Sequence, residues 1–273
     1  IFATPGRLND HLDKQNISAD CIRYVVIDEF DKCLEMGFAD EMDAIMGKLP
    51  NVEMRVLLSA TDTDSIPNFV NMGRTVRLDY LDSAETVSER LKIYKVNVPV
   101  KDKLETLSSL LKTFGSQSSI VFVNYRESVE RVDAYLRGLG FVTSAYHGGL
   151  DQREREDAIY KFANGSANVL VSTDLASRGL DIPFVENIIH YHLPETEDNY
   201  IHRTGRTARW DACGNAFFLL NPSEKLPDYV EENVAEFHIP TELPPVSMPK
   251  NATIYIGKGK QSKISKGDIV GFL

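Results

Sequence analysis

The sequence predicts an α/β protein, with parallel sheets covered by helices and shared between two domains. Three observations lead there. Short β-branched runs alternate with amphipathic helical patterns along most of the 273 residues, the arrangement that builds parallel sheets with helices on both faces. The length accommodates two ordinary domains with cores of their own. The alternation lapses over 79–92, DYLDSAETVSERLK, a polar stretch without a core strand; this is the expected domain boundary.

In chain order, the first domain opens with TPGR (4–7) and a helical pattern, LNDHLDK. Its strand-like runs are RYVVI (23–27) and RVLL (55–58), both read as buried. Beyond the boundary, SIVFV (119–123), NVLVS (168–172) and ENIIHY (186–191) read as buried strands. KDKLETLSSLLKTF (101–114), ESVERVDAYLRGL (127–139) and QREREDAIYKFA (152–163) space their apolar residues as helices do. Residues 222–249 hold a helix-like acidic piece and then IPTELPPVSMP, a proline-rich linker. Residues 250–273 carry five lysines against one aspartate and begin with strand-like ATIYI.

Composition narrows the class. With 42% hydrophobic and 26% charged residues the chain is an ordinary globular one. Cys21, Cys33 and Cys213 lie far apart without CxxC spacing, so they read as small buried fillers rather than disulfides or a zinc site. No apolar run approaches a membrane span and no signal-peptide pattern opens the chain, which predicts a cytoplasmic setting and no membrane partner. A net charge of −10 does not suggest a nucleic-acid binder, but local patches outweigh the total.

Ligands of open α/β sheets sit at the carboxyl ends of strands. Asp28, Glu29 and Asp31 follow one strand, and Ser59, Ala60 and Thr61 follow another, so both clusters belong on one sheet edge. An aspartate after an apolar strand holds magnesium in nucleotide hydrolases of the phosphate-loop type; one carboxylate suffices, because the ion keeps several waters. A neighbouring glutamate then activates the attacking water. The competing account of DEFD is a solvated acidic turn. In YIHRTGRTARW (200–210), His202, Arg206 and Arg209 stand at i, i+4 and i+7, one cationic face if the segment is helical. Guanidinium forks match triphosphate oxygens; a basic helix facing solvent is the alternative. In STDLASRGLDIP (172–183), Thr173 can donate to a phosphate and Asp181 can accept from a sugar hydroxyl, or the segment is a capped turn. TPGR joins turn amides to a helix start and an arginine, with capping by Thr4 the plainer account. HGGLDQREREDAI (147–159) offers Gln152 and Arg155 near a helix start that Asp151 alone can explain. No G-x-x-x-x-G-K-[ST] loop is present; GKGKQS (257–262) has the wrong spacing. His11, His190, His192 and His238 form no metal-ligand pattern.

Together these segments resemble, in order, the motif series of the DEAD-box RNA helicases: TPGR, DEFD (28–31), SAT (59–61), IVFVN (120–124), HGGLDQRER (147–155), TDLASRGLDIP (173–183) and HRTGRTAR (202–209). The resemblance implies two RecA-like domains that close on ATP and RNA. Residues 1–80 would be the C-terminal part of the first, 81–92 a linker, 93–222 the second, and 223–249 an acidic, proline-rich linker. It implies that Asp28 holds Mg2+ through water, Glu29 activates water, and Ser59 and Thr61 couple hydrolysis to unwinding. Arg206 and Arg209 would be arginine fingers with His202 lining the site, and Asp181 would touch the ATP ribose. Thr4, Gly6, Arg7, Gln152, Arg155, Thr173 and Gly179 would meet RNA, mostly its phosphates. Phe30 departs from the family's alanine, and Thr204 and Ala208 from its isoleucine and glycine. The phosphate-loop lysine and the adenine-reading glutamine motif are expected upstream of Ile1, so the chain reads as a fragment, inactive alone. The segment 250–273 resembles the start of the RRM-like domain of some bacterial members, which binds ribosomal RNA. Rival readings are a non-enzymatic RNA-binding scaffold on the same fold and a DNA-directed helicase.

Overall fold

The computed structural model describes residues 1–59, 66–79, 90–177, 182, 185–207, 213–230 and 233–272. The chain divides into two compact units, Ile1–Asp82 and Ser83–Leu273.

In the first unit, helix α1 (Pro5–Asp13) precedes strand β1 (Tyr24–Ile27), helices α2 (Phe30–Glu35) and α3 (Ala39–Lys48), and strand β2 (Met54–Leu57). The two strands pair in parallel, Tyr24 with Met54 through Ile27 with Leu57. Helix α3 serves two apolar clusters. Ile45 packs with Leu12, Leu49 and Val25, while Met42 packs with Phe30, Val70, Ile27 and Leu57. The expectation of fully buried strands fails for β1. Val25 and Ile27 turn to the helices, but Tyr24 and Val26 on the other face are 67% and 60% exposed.

In the second unit seven parallel strands stand in the order β5-β6-β4-β7-β8-β3-β9. They are β3 (Leu91–Asn97), β4 (Ser119–Phe122), β5 (Thr143–Tyr146), β6 (Val169–Ser172), β7 (Asn187–His190), β8 (Gly214–Leu220) and β9 (Val234–Glu236). Side chains alternate across a strand, so β4 sends Val121 to one core and Ile120 and Phe122 to another. The first core takes Leu107, Leu110 and Leu111 of α4 (Leu104–Phe114) and Val129, Val132 and Leu136 of α5 (Arg126–Gly138). The second takes Ala158 and Phe162 of α6 (Gln152–Ala163). Helix α7 (Glu197–Thr204) adds Tyr200 to a smaller cluster with Phe218 and Ile93. Burial on both faces is what strands read as continuous apolar runs require.

Several expectations need correction. The acidic piece after Asn221 has, among its described residues, strand β9 rather than a helix; β9 pairs with β3, and Ile239 and Val246 beyond it pack on the first core. ATIYI forms no strand, and the tail holds helix α8 (Lys266–Phe272) instead. It lies on the turn after α6: Asn251 Nδ2 donates to the Asn164 carbonyl (2.6 Å) and Thr253 Oγ1 to Ser166 Oγ (2.9 Å). Cys21 and Cys213 are exposed rather than buried. Among the described residues no helix is long and apolar enough to cross a membrane.

Candidate functional site

Parallel pairing of β1 and β2 brings the two polar clusters of the first unit to one edge. Leu58 N–H donates to the Ile27 carbonyl and Phe30 N–H to the Leu58 carbonyl, both at 2.9 Å. Asp28 and Ser59 therefore leave the sheet side by side, both exposed. Between them and α2 the chain turns through Glu29, whose φ of +48° and ψ of +49° are left-handed. A glutamate in that region stores about 1–3 kcal/mol of strain and persists only where the surroundings enforce it. They do so here. The Glu29 amide donates to Asp28 Oδ1 (3.0 Å), and Phe30, 1% exposed, anchors the turn in the Met42–Val70 cluster. The bulky residue at a position where alanine is usual is thus core, not crowding.

The carboxylates also act on their neighbour. Burial first, and then the charges of Glu29, Asp31 and Asp28, push the Cys33 thiol up from its ordinary value. Asp28 Oδ1 is engaged by the Glu29 amide, and the second oxygen has no hydrogen-bond partner among the described residues. No group of three or more acids, histidines or cysteines there could cage a metal. The set fits a hard cation that keeps most of its waters and takes one carboxylate. Thr4 stands at the N-cap of α1 without a side-chain cap bond, with Pro5 in the first turn. Gly6 has open space above its Cα, and Arg7 is exposed.

In the second unit, Tyr146, Ser172, Phe122 and His190 form one row across β5, β6, β4 and β7. The loops beyond that row hold the remaining motifs. Asp151 caps α6 in a reciprocal box with Glu154, its Oδ1 accepting from the Glu154 amide (2.8 Å) and Glu154 accepting from the Asp151 amide (2.9 Å). The plain capping account of this helix start is therefore realised. Gln152 and Arg155 project from the same turn, Gln152 donating to Glu156 (2.8 Å) and Arg155 Nη2 to the Gly148 carbonyl (2.7 Å). Thr173 follows β6, its amide donating to the Tyr146 carbonyl (3.4 Å).

The segment from Tyr200 departs from the expected helical face. Helix α7 ends at Thr204. The Thr204 hydroxyl donates back to the Tyr200 carbonyl (2.8 Å). Arg206 N–H then donates to the Arg203 carbonyl (3.2 Å) and Thr207 N–H to the Thr204 carbonyl (2.9 Å), a tightened final turn. The Thr207 hydroxyl donates to the Val185 carbonyl, and Val185 N–H donates to the Arg206 carbonyl (3.3 Å). His202 sits on the helix, 9% exposed, while Arg206 lies in the turn beyond it, tied to the chain just before β7. Arg209, Thr61, Gly179 and Asp181 lie outside the described residues.

The arginine that sequence reasoning passed over is the buried one. Arg203 is fully enclosed. Its Nε and Nη2 donate to the two oxygens of Asp174, Nη1 to the His192 carbonyl (2.9 Å), and Nη2 also to Asn124 Oδ1 (2.9 Å). The guanidinium lies 5.2 Å from the centre of the Phe122 ring. One side chain therefore ties α7 to the loops after β4, β6 and β7. The Asn124 amide donates to His192 Nδ1 (3.1 Å), which leaves the proton of the neutral ring on Nε2. Burial, more than nearby Lys103, lowers the His192 pKa and keeps the ring neutral.

Comparison with known proteins agrees with this layout. Residues 1–69 match the family described as DEAD/DEAH box helicase, and residues 102–211 match the helicase conserved C-terminal domain. The chain is 33% identical over 285 residues to the ATP-dependent RNA helicase DbpA of Escherichia coli, covering all of this chain and 61% of that protein. It is 37% identical over 224 residues to the ATP-dependent rRNA helicase RRP3 of Yarrowia lipolytica, covering 81% of this chain and 46% of that protein. The structure of S. cerevisiae Dbp5 bound to RNA and ADP BeF3 aligns with a TM-score of 0.71 at 26% identity, over 86% of this chain and 64% of that one. The chain thus spans about half to two thirds of the length of these relatives. It belongs to the DEAD-box helicase family.

Proposed function

We propose that the protein is an ATP-dependent RNA helicase that opens or remodels short RNA duplexes locally, with ribosomal RNA as a substrate class. The observation that carries the proposal is the strand-end turn in which Glu29 is held left-handed beside the open carboxylate of Asp28. In this reading 1–80 belong to a first RecA-like domain and 93–222 form the second, joined by 81–92. The segment 223–249 leads to an RNA-binding region that starts at 250, whose lysines add contacts to structured RNA.

Asp28 would hold Mg2+ through water, and the bound ion would supply positive charge against the charge developing on the transferred phosphate. Glu29 accepts the proton of the attacking water. Ser59 and Thr61 pass the hydrolytic event to the RNA site. His202, Arg206 and Arg209 face the triphosphate, and Asp181 takes a ribose hydroxyl. Thr4, Gly6, Arg7, Gln152, Arg155, Thr173 and Gly179 hold the RNA, largely through its backbone, as a channel with little base preference requires. The names of the relatives support the substrates: DbpA and RRP3 are both named as ATP-dependent helicases, of RNA and rRNA respectively.

The test is RNA-stimulated ATP turnover of the full-length protein, wild type against Glu29→Gln. Loss of a general base is expected to lower turnover by about 10²–10⁴-fold. Unchanged turnover removes Glu29 from this role.

A further inference from the structure

Tyr125 stands at the strand-end row of the second unit and is absorbed by none of the roles above. It follows β4 and is 60% exposed, although the backbone on both sides is fixed. Val123 N–H donates to the Ser172 carbonyl (2.9 Å), and the Asn124 amide donates to His192 Nδ1 (3.1 Å). The Tyr125 carbonyl accepts from the amides of Ser128 (3.1 Å) and Val129 (3.2 Å), opening α5. The ring contacts His192 at an angle of 61°, centroids 5.8 Å apart, so it is steadied on one side and open on the rest. Beside it, the Arg126 guanidinium lies flat on the loop after β5: a Cβ built on Gly149 would fall 2.6 Å from Arg126 Cζ. A side chain at position 149 would have to displace the exposed end of Arg126 from that crossing. Arg126 pairs with Glu130 (3.1 Å), both groups more than half exposed, and a phosphate can displace such a solvated pair at little cost.

We propose that Tyr125 is a stacking platform for an unpaired base of single-stranded RNA, with Arg126 taking an adjacent phosphate. Single-strand binders combine aromatic faces with cationic groups that follow the backbone. A tyrosine loses little side-chain freedom on binding, and here the main chain is already held. Thr173 and Arg155 lie along the same row of strand ends, so the platform adds a base contact to the phosphate contacts proposed above and rests on that reading.

The experiment titrates the full chain into a short oligouridine strand carrying one 2-aminopurine. Binding of wild type is expected to quench the probe. Tyr125→Ala is expected to weaken binding roughly tenfold to a hundredfold and to abolish the quench, whereas Tyr125→Phe keeps both. If Tyr125→Ala equals wild type while Arg155→Ala binds more weakly, RNA passes this edge without stacking and the inference falls alone. Equal losses in Tyr125→Ala and Tyr125→Phe also overturn stacking. If neither Tyr125→Ala nor Arg155→Ala changes binding, the placement of RNA on this edge falls with it.

Discussion

Arg203 shows how one buried residue can tie three loops to a helix. Four hydrogen bonds from its guanidinium reach two carboxylate oxygens, a carbonyl and an amide oxygen, an arrangement a lysine cannot copy. Replacing it with alanine removes these bonds and loosens three loops; with the Asp174 side chain 29% exposed, the cost is about 3 kcal/mol, the low end for a buried pair. Arg203→Ala is therefore expected to lower the urea midpoint of the second unit by that equivalent. Arg203→Lys should recover only part of it, and a midpoint equal to wild type would refute the tie. Nothing local in the sequence marks this residue. Arg203 and Asp174 are 29 positions apart, and Arg203 sits beside two arginines that look the same on paper. The cationic face inferred from residues 202, 206 and 209 assumed a helix that in fact ends at Thr204. By contrast, the strand-end placement of Asp28 and Ser59 is legible, because an apolar run that stops at an acid or a serine marks the end of a parallel strand.

Elements were legible where burial is complete and apolar. SIVFV and NVLVS became β4 and β6, enclosed on both faces. Strand β5 was not, because Thr143 and Ser144 are buried yet polar; Asp133 and Arg137 of α5 satisfy Thr143. Strand β3 intersperses lysines with its apolar residues, and the short AFFLL run of β8 fits either period. Two packing details make predictions at this scale. A Cβ on Gly214, the first residue of β8, would lie 1.8 Å from Thr207 Oγ1 and 2.8 Å from Thr207 Cβ. Gly214→Ala must push the end of the α7 segment away from the sheet, and a cost of about 1–3 kcal/mol is expected in chemical denaturation. The box at the start of α6 gives the second. Asp151→Ala should cost about 1 kcal/mol of stability and leave RNA affinity unchanged. A loss of affinity without a loss of stability would show Asp151 to be a ligand rather than a cap.

At the scale of the whole molecule, burial sets the response to acid. His190 closes β7 with no exposed surface, stacked on Phe218 at 4.2 Å and 15°. Neither ring nitrogen has a hydrogen-bond partner among the described residues. Burial, reinforced by the Arg203 charge, drives its pKa well below the ordinary 6.5. His192 is lowered as well, chiefly by burial. Both rings are neutral in the folded protein and free to protonate in the unfolded chain. Below about pH 6.5 the unfolded state therefore binds more protons than the folded state, and stability falls as pH falls, by up to about 1.4 kcal/mol per pH unit for each histidine. Above that pH both states are neutral at these positions and the effect vanishes. Carboxylates contribute mainly below about pH 5, so the interval from about pH 6.5 to 5 isolates the histidines. His190→Phe, which keeps a ring against Phe218, should reduce the slope of the urea midpoint with pH across that interval. If the slope were unchanged, the proton-linked loss would have to arise elsewhere, and His190 would be a spectator in acid unfolding.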